Sequence, residues 1–416
     1  MKRIFPIFAV GALVSIGTFW SFGRGGHDFA VFYEAWNLVA HGRGTEIYTT
    51  SPDRFLYAPG FAWILSPLGL LPQNVALAIW NLAKATIVYL LIQSVGKKIL
   101  EESASIGKRM ALEDALAIAA GGFVLLARPL LIDFQYGQVN LFILAGSVWA
   151  LLTYFAKAPA RNRIAISWFV LGVVSVSKLF ALPLLLLPWV RTQRGVSGPA
   201  KIGSALGFLV AAILPILTLG VSGGLNLILA WRAALAAKGL PFESHNQSFI
   251  ALLDHYFTTD PTHIIALGWK WIVLGLPLLS MPTIVELSLA WSFLFIGVLV
   301  AWIFRGSVTS SLRWIAVAMA LLFVPSYLVW KPYFILGYPL AALLIWQYGA
   351  SKKWLIVLGF LLMNLTGFDV IGPWPAARLE AASIFLLVHL AYLACVFWAK
   401  PDFEIKPTLP RIDTLA

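Results

Sequence analysis

The chain has 416 residues, of which 60% are hydrophobic and only 12% are charged, and its mean hydropathy is +0.85. A soluble domain cannot bury that much apolar surface, so the composition excludes a soluble globular protein. The net charge of +12 does not indicate nucleic-acid binding, because Lys and Arg stand in short clusters between apolar runs, as topology signals do. The one cysteine, Cys395, lies inside an apolar run, which excludes a disulfide framework.

The apolar runs predict the fold class. They are continuous over about 20 residues, which is typical of membrane-spanning helices and not of the alternating strands of a β-barrel. With the basic clusters on the cytoplasmic side, the chain is predicted to be an all-α polytopic protein of the cell membrane with about twelve spans and both termini inside. The first span, residues 4–20, is interpreted as a retained signal anchor, and a cleaved signal peptide is the alternative.

The loops between the spans give the predicted organisation. Two long segments are expected on the extracytoplasmic face, each with an interfacial helix lying flat at the membrane surface, at residues 31–40 and 264–279. The predicted parts are a single transmembrane domain over residues 1–400, extracytoplasmic loops at residues 23–73 and 220–281, and a cytoplasmic tail at residues 401–416.

One apolar run, residues 164–190, is interrupted by Ser177-Lys178 and by Pro183. Both of its flanks are basic, which requires an even number of crossings, so two shortened helices with Lys178 near the outward bend are predicted. A lysine in an apolar hairpin is costly and is by default a functional-site hypothesis. Lys178 either binds a lipid phosphate or neutralises Asp28 or Asp133, and snorkelling to the interface is the alternative.

The polar residues that are not topology signals fall on the extracytoplasmic side of this topology, where they are expected to line a polar cavity. Asp28 follows the first span directly and is either a general base at the membrane surface or a solvated loop acid. The whole set consists of Asp28, Glu34, Tyr57, Arg128, Asp133, Gln138, Asn140, Lys178, Asn246, Gln247, Lys331 and Asp369.

Two further cations in this set have open alternatives. Arg128 either binds phosphate or pairs with Asp133, and Lys331 either contacts phosphate or anchors the chain at the interface. No metal site is predicted, because the histidines have no cysteine or carboxylate cluster near them in the sequence. No P-loop or Gly-rich dinucleotide turn is present, so the sequence predicts no nucleotide cofactor.

The amide side chains of the set form two pairs. Gln138 and Asn140 either line a sugar pocket, since amides both donate and accept hydrogen bonds, or belong to a helix-capping turn. Asn246 and Gln247 have the same two interpretations.

An ordered series of short motifs runs through the chain. The motifs are Asp28-Phe29 with Tyr33, Gly42 with Ile47-Tyr48, Tyr57-Ala58-Pro59, Ser66-Pro67-Leu68, Leu71-Pro72, Gly137-Gln138-Val139-Asn140-Leu141, Lys178 with Pro183, and Asn246-Gln247-Ser248. Together they resemble the family 87 glycosyltransferases, polyprenyl-phosphate-mannose-dependent mannosyltransferases of the GT-C type. The chain departs from the family pattern at Ala58-Pro59, where members often have Pro-Pro, and at Trp330-Lys331, where members tend to have a His after the Trp.

The resemblance implies an inverting transfer of a hexose, typically mannose, from a polyprenyl phosphate to a lipid-linked or glycan acceptor. It implies that Asp28 is the base and that Lys178 and Arg128 hold the donor phosphate. Lys331 is a further candidate for binding that phosphate, because its side chain also supplies a cation. The chemistry of a phosphate leaving group needs only cations, so we expect the reaction to be metal-independent. The residues expected to face the sugar or acceptor are Tyr57, Gln138, Asn140, Asn246, Gln247 and Glu34.

Two other classes of protein share some of these features. A transporter or flippase of lipid-linked sugars also uses broken helices and intramembrane lysines, but an internal repeat is expected there and none is found. A non-catalytic subunit of envelope assembly is the second alternative, and in such a protein Asp28 is dispensable.

Overall fold

The computed structural model of the protein describes residues 4–23, 26–49, 55–238, 245–258, 279–304, 310–399 and 401–402. These residues form helices and no β-strand, which confirms the all-α class. Short 3₁₀ helices are found at Gly44–Glu46, Ser66–Leu70, Leu179–Leu186 and Lys331–Gly337. The α-helices are α1 (Phe5–Gly23), α2 (His27–Ala40), α3 (Pro59–Leu65), α4 (Gln73–Ser105), α5 (Leu112–Leu125), α6 (Ala127–Tyr136), α7 (Asn140–Tyr154), α8 (Arg161–Ser177), α9 (Leu187–Val190), α10 (Ser197–Lys238), α11 (Phe249–Phe257), α12 (Met281–Phe304), α13 (Ser311–Leu321), α14 (Tyr338–Tyr348), α15 (Lys353–Asn364), α16 (Phe368–Ile371), α17 (Pro373–Ala381) and α18 (Ile384–Trp398).

Four of the described helices, α1, α4, α10 and α12, are long and apolar enough to cross a membrane. Two bent pairs qualify if each is one span: α5 with α6, bent by 69°, and α17 with α18, bent by 49°. The described helices are therefore those expected of a multi-pass membrane protein. The count of about twelve spans is not confirmed, because several predicted spans are apolar helices of only 10–17 residues, shorter than the hydrocarbon core requires.

The chain divides into two compact units, and each is discontinuous in the sequence. Unit 1 comprises Met1–Gly11, Ile92–Leu130 and Leu240–Ala416. Unit 2 comprises Ala12–Leu91 and Leu131–Gly239. A hydropathy pattern indicates helices one at a time, so the sequence did not indicate this division of the predicted single transmembrane domain.

In unit 2, α8 and α10 pack closely because Gly203 and Gly207 stand one helical turn apart in α10. A Cβ atom added to them would lie 2.2 Å from the carbonyl oxygen of Ala165 and 2.1 Å from that of Phe169. Small residues at this spacing allow the backbones of two membrane helices to approach. The contact fixes α8, whose C-terminal end carries Lys178.

The break predicted at Ser177-Lys178 is present. Lys178 has extended backbone angles (φ −140°, ψ 117°), and the residues after it form the 3₁₀ helix that contains Pro183. Proline lacks an N–H and clashes with the preceding turn, so α8 cannot continue through this segment. The predicted position of the bend relative to the membrane stays a prediction.

Helix α2 begins at His27, four residues before the predicted interfacial helix, so Asp28 lies in a first helical turn and not in a loop. Gly26 precedes the helix with a positive φ of 55°, a conformation that favours glycine. A carboxylate in the first turn is favourable because it faces the positive end of the helix dipole. The buried face of α2 is aromatic, with Phe29 and Trp36 packed against Trp80 of α4.

Two segments that the sequence predicts as loops are helical. The sequence predicts an external turn over residues 133–140, but Asp133 lies inside α6, which follows a sharp bend after α5. Residues 221–238 of the predicted loop at 220–281 are helical too, and they are separated from the first part of α10 at Gly220, whose backbone angles are not helical (φ 73°, ψ 171°). The interfacial helix predicted at 264–279 lies outside the described residues, apart from Leu279.

Unit 1 has a core of helices α13 and α14, whose described side chains are almost all buried. The ring of Tyr338 in α14 stacks on Phe123 of α5, with 3.9 Å between centroids. The buried Glu102 caps α13 by accepting hydrogen bonds from Ser310 Oγ (2.6 Å) and the Leu312 backbone N–H (2.9 Å). An ionised acceptor at a helix N-terminus satisfies N–H groups that otherwise have no partner.

Candidate functional site

Within unit 2, a line of hydrogen bonds joins Asp28 to Lys178. The Gln138 Nε2 amide donates to Asp28 Oδ2, and its Oε1 atom accepts from Lys178 Nζ at 3.3 Å. Asp28 is half-buried, whereas Gln138 and Lys178 are buried. A carboxylate, an amide and an ammonium that the sequence predicts as site residues are therefore in contact, although Asp28 and Gln138 are 110 residues apart.

The same lysine begins a second line that runs into the interior. Lys178 Nζ donates to Asn140 Oδ1 at 2.9 Å, and Asn140 Nδ2 donates to Asp133 Oδ2 at 3.1 Å. Asp133 Oδ1 then forms an ion pair with Lys84 Nζ at 2.7 Å. The side chains of Asp133 and Lys84 have no exposed surface. Along the complete line, one amide stands between Lys178 and each of the two carboxylates, and Asp133 contacts Lys84 directly.

Sequence reasoning missed Lys84, although the signal was present. Lys84 stands in the middle of an apolar run, as Lys178 does, and a lysine in that position is costly unless it has a partner. Its ammonium also donates to the main-chain oxygen of Asp133 at 2.5 Å and lies 4.6 Å from the centroid of the Phe134 ring. Lys84 is the direct partner of Asp133, and Lys178 reaches Asp133 through Asn140, so neutralisation of Asp133 by Lys178 stays a prediction.

The turn before α7 places Gln138 beside α2. Gly137 has a positive φ of 67°, and a Cβ atom there would lie 2.5 Å from the Cβ of Phe29. The Gly137 carbonyl oxygen accepts a hydrogen bond from Trp80 Nε1 at 2.9 Å. Glycine is required at this position by both the backbone conformation and the close approach of α2.

Two other predicted sugar contacts lie in unit 2. The ring of Tyr57 is 5.7 Å from Lys178 Nζ, in cation–π range, and packs edge-on against Phe32. Glu34 is half-buried in α2. It is six residues after Asp28, which puts the two acids about 120° apart around the helix, and no contact joins Glu34 to the line among the described residues.

Unit 1 contains the buried lysine Lys331, which pairs directly with the carboxylate of Glu380. Nδ1 of His245 contacts the other oxygen of the same carboxylate. Burial lowers the pKa of Lys331, and the Glu380 carboxylate opposes that shift. The sequence analysis did not single out Glu380, because nothing in the sequence connects it to a residue 49 positions away.

The amides of Asn246 and Gln247, predicted to face sugar hydroxyls, contact the backbone of unit 1. Asn246 Oδ1 accepts from the Val329 N–H at 2.9 Å, and its Nδ2 donates to the Tyr327 carbonyl at 3.0 Å. Gln247 Nε2 donates to the Glu380 carbonyl at 2.6 Å. These bonds tie the segment to its neighbours, and the sugar contact stays a prediction for both residues.

Arg128, the third predicted phosphate ligand, lies at the start of α6 in unit 1. Its guanidinium forms an ion pair with Asp369 at 2.5 Å, and its backbone N–H donates to Asn364 Oδ1 at 2.7 Å. Of the two predicted alternatives, phosphate binding stays a prediction, while the carboxylate partner that the structure gives to Arg128 is Asp369.

Among the described residues, no group of three or more His, Cys, Asp or Glu side chains is arranged to hold a metal ion. An ionisable acid in contact, through one amide, with a buried ammonium can accept a proton close to a bound anion.

Several apolar helices of spanning length define a multi-pass helical membrane protein. Residues 55–330 match the sequence model of glycosyltransferase family 87, which is more than half of the chain. The chain belongs to this family and is a membrane glycosyltransferase. No match was found among curated proteins or among solved structures.

The matched residues contain most of the polar line: Lys84, Asp133, Gln138, Asn140 and Lys178 all lie between positions 55 and 330. Asp28 precedes the match and joins the line through its contact with Gln138. Family membership disfavours the transporter and the non-catalytic subunit as alternatives.

Proposed function

We propose that the protein transfers a hexose, mannose by the family resemblance, from a polyprenyl-phosphate carrier to a lipid or glycan acceptor, with inversion. The proposal includes a site on the extracytoplasmic face of the cell membrane and a topology of about twelve spans with both termini inside. Family membership supports the sugar transfer. The observation that carries the mechanism is the contact of Asp28, through Gln138, with the buried Lys178.

Asp28 is the general base of this mechanism. The acceptor hydroxyl oxygen attacks the anomeric carbon while the bond from that carbon to the phosphate oxygen breaks. The phosphate leaves with the bonding electron pair, and the hydroxyl proton passes to Asp28. A single displacement inverts the anomeric centre and needs one base. The half-buried position of Asp28 in the first turn of α2 supports this role.

Lys178 binds the donor phosphate. Its ammonium offsets the negative charge that the phosphate gains as it leaves, and a fixed cation in a site of low dielectric does so strongly. This stabilisation of the leaving group is the reason for proposing a metal-independent reaction. The Tyr57 ring beside Lys178 contributes to the donor side of the site.

The test is Asp28→Asn in purified protein supplied with a short-chain polyprenyl-phosphate mannose. We expect the rate of mannose transfer to fall by about 10²–10⁴-fold, because an amide cannot accept the proton. Glu46→Gln is the matched control, since Glu46 is an acid of the same segment that forms an exposed ion pair with Arg43. If Asp28→Asn transfers mannose at the parental rate, Asp28 is not the general base.

A further inference from the structure

Lys178 is the centre of two similar arms of hydrogen bonds in unit 2. In each arm an amide oxygen accepts from the Lys178 ammonium, and the NH₂ group of the same amide donates to a carboxylate. The half-buried arm runs through Gln138 to Asp28, and the buried arm runs through Asn140 to Asp133. The proposed reaction uses the first arm and leaves the second without a role.

The charges at the two ends of an arm decide how its amide is oriented. An ammonium only donates and an ionised carboxylate only accepts, so one orientation of Asn140 satisfies both Lys178 and Asp133. A neutral amide in place of Asp133 accepts as well as donates, and it tolerates the reversed Asn140. The reversed orientation presents an NH₂ group to the Lys178 ammonium and repels it. The charge of Asp133 therefore determines whether Lys178 faces the oxygen or the NH₂ group of the Asn140 amide.

Lys84 makes a charged Asp133 possible in the interior. An isolated carboxylate without exposed surface is very costly, and a paired one is tolerated. Lys84 contacts both the side chain and the main-chain oxygen of Asp133. These contacts hold α6 against α4 and stabilise the charged form of the Asp133 carboxylate. Stability alone is a weak reason for such a pair, because apolar replacements of buried ion pairs are often neutral or stabilising.

We propose that Lys84 and Asp133 are positioning residues, which fix the amide of Asn140 so that its oxygen holds Lys178 where the donor phosphate binds. The proposal rests on the proposed function, in which Lys178 binds that phosphate. The pair itself does not touch the substrate, and its effect reaches the phosphate only through Asn140 and Lys178.

The test is calorimetric titration of the purified protein with farnesyl phosphate, which has the phosphate and a prenyl chain but no sugar. The stoichiometry reports the fraction of folded protein, and Kd reports the site. For the double variant Lys84→Met with Asp133→Asn, we expect Kd to rise about tenfold. A rise of this size corresponds to the loss of one charge-assisted hydrogen bond, the one from Lys178 to the Asn140 oxygen. A purely structural role changes the stoichiometry and leaves Kd at the parental value, and that result would overturn the proposal.

Asp133→Asn alone is a second test, because it keeps the shape of the side chain, and the same rise in Kd is expected. The matched control is Lys98→Met with Glu101→Gln, a lysine–carboxylate pair at the exposed end of α4, for which Kd should stay within about twofold.

Lys178→Met separates this proposal from the proposed function. If Lys178→Met weakens binding of farnesyl phosphate and the Lys84–Asp133 double variant does not, only the positioning role is wrong. If Lys178→Met binds with the parental Kd, the phosphate role of Lys178 is wrong and the positioning role fails with it.

Discussion

Lys178 in unit 2 and Lys331 in unit 1 are both buried, and the sequence predicts both to bind the donor phosphate, yet their partners differ. Lys178 donates to the neutral amide oxygens of Gln138 and Asn140. Lys331 donates directly to the carboxylate of Glu380. A carboxylate holds an ammonium more strongly than an amide oxygen does, so an incoming phosphate competes with weaker bonds at Lys178.

Burial of a lysine does not by itself distinguish a ligand-binding group from a structural one. In unit 1, the Glu380 carboxylate pairs with Lys331 and contacts His245, and the Glu380 main-chain oxygen accepts a hydrogen bond from Gln247. In unit 2, one amide separates Lys178 from each of the carboxylates of Asp28 and Asp133. The first arrangement is typical of a structural contact, and the second keeps a cation available to a ligand.

The largest effect is expected from Glu380→Gln, which tests the structural half of the comparison. The change leaves Lys331 buried without its counter-charge, and breaking a buried pair in this way costs about 3–5 kcal/mol of stability. Thermal unfolding in detergent measures the loss. The double variant Lys331→Met with Glu380→Gln should recover most of it. If Glu380→Gln has the parental melting temperature but transfers no sugar, Glu380 takes part in the reaction and its role in unit 1 is not only structural.

Lys178→Met tests the functional half. We expect the mannose-transfer rate to fall by about 10²–10³-fold, because the leaving phosphate loses its cation. Lys331→Met should lower the rate of the folded protein by at most about tenfold, since Lys331 is neutralised by Glu380. Both rates are measured with polyprenyl-phosphate mannose and divided by the folded fraction. Equal losses from the two substitutions would contradict the distinction drawn between the two lysines.

Gly137→Ala is expected to have a smaller effect on stability and a visible effect on transfer. A left-handed alanine costs about 1–2 kcal/mol, and the contact with Phe29 adds about 1–3 kcal/mol of overpacking. The strain displaces Gln138 from Asp28, so transfer should fall as well. Gly42→Ala is the control, because Gly42 also has a positive φ (76°) but an added Cβ meets nothing within 4 Å.

The two glycine variants are compared by melting temperature and by transfer rate. The close approach of α2 to the turn predicts that Gly137→Ala loses more than Gly42→Ala in both. If the two variants behave alike, the turn at Gly137 contributes only its backbone conformation, and the contact with Phe29 is unimportant for holding Gln138 beside Asp28.

The sequence by itself determined the class of the protein and part of the site. Hydropathy fixes an all-helical membrane protein because the bilayer imposes long apolar runs, and the cost of a charge in such a run singled out Lys178. The same rule applies to Lys84, which the sequence analysis overlooked. The motif around Gln138 and Asn140 identified two amides that do contact Lys178.

The tertiary structure alone decided which partner each charged group has. Asp133 and Lys84 are 49 residues apart, as are Lys331 and Glu380, and Arg128 and Asp369 are 241 apart. Hydropathy and local spacing describe one helix at a time, and they do not indicate which faces of different helices are in contact. In unit 2, the helix break at Lys178 and the close glycine packing of α8 on α10 fix the position of Lys178. The line from Asp28 to Lys84 therefore exists only in the folded chain.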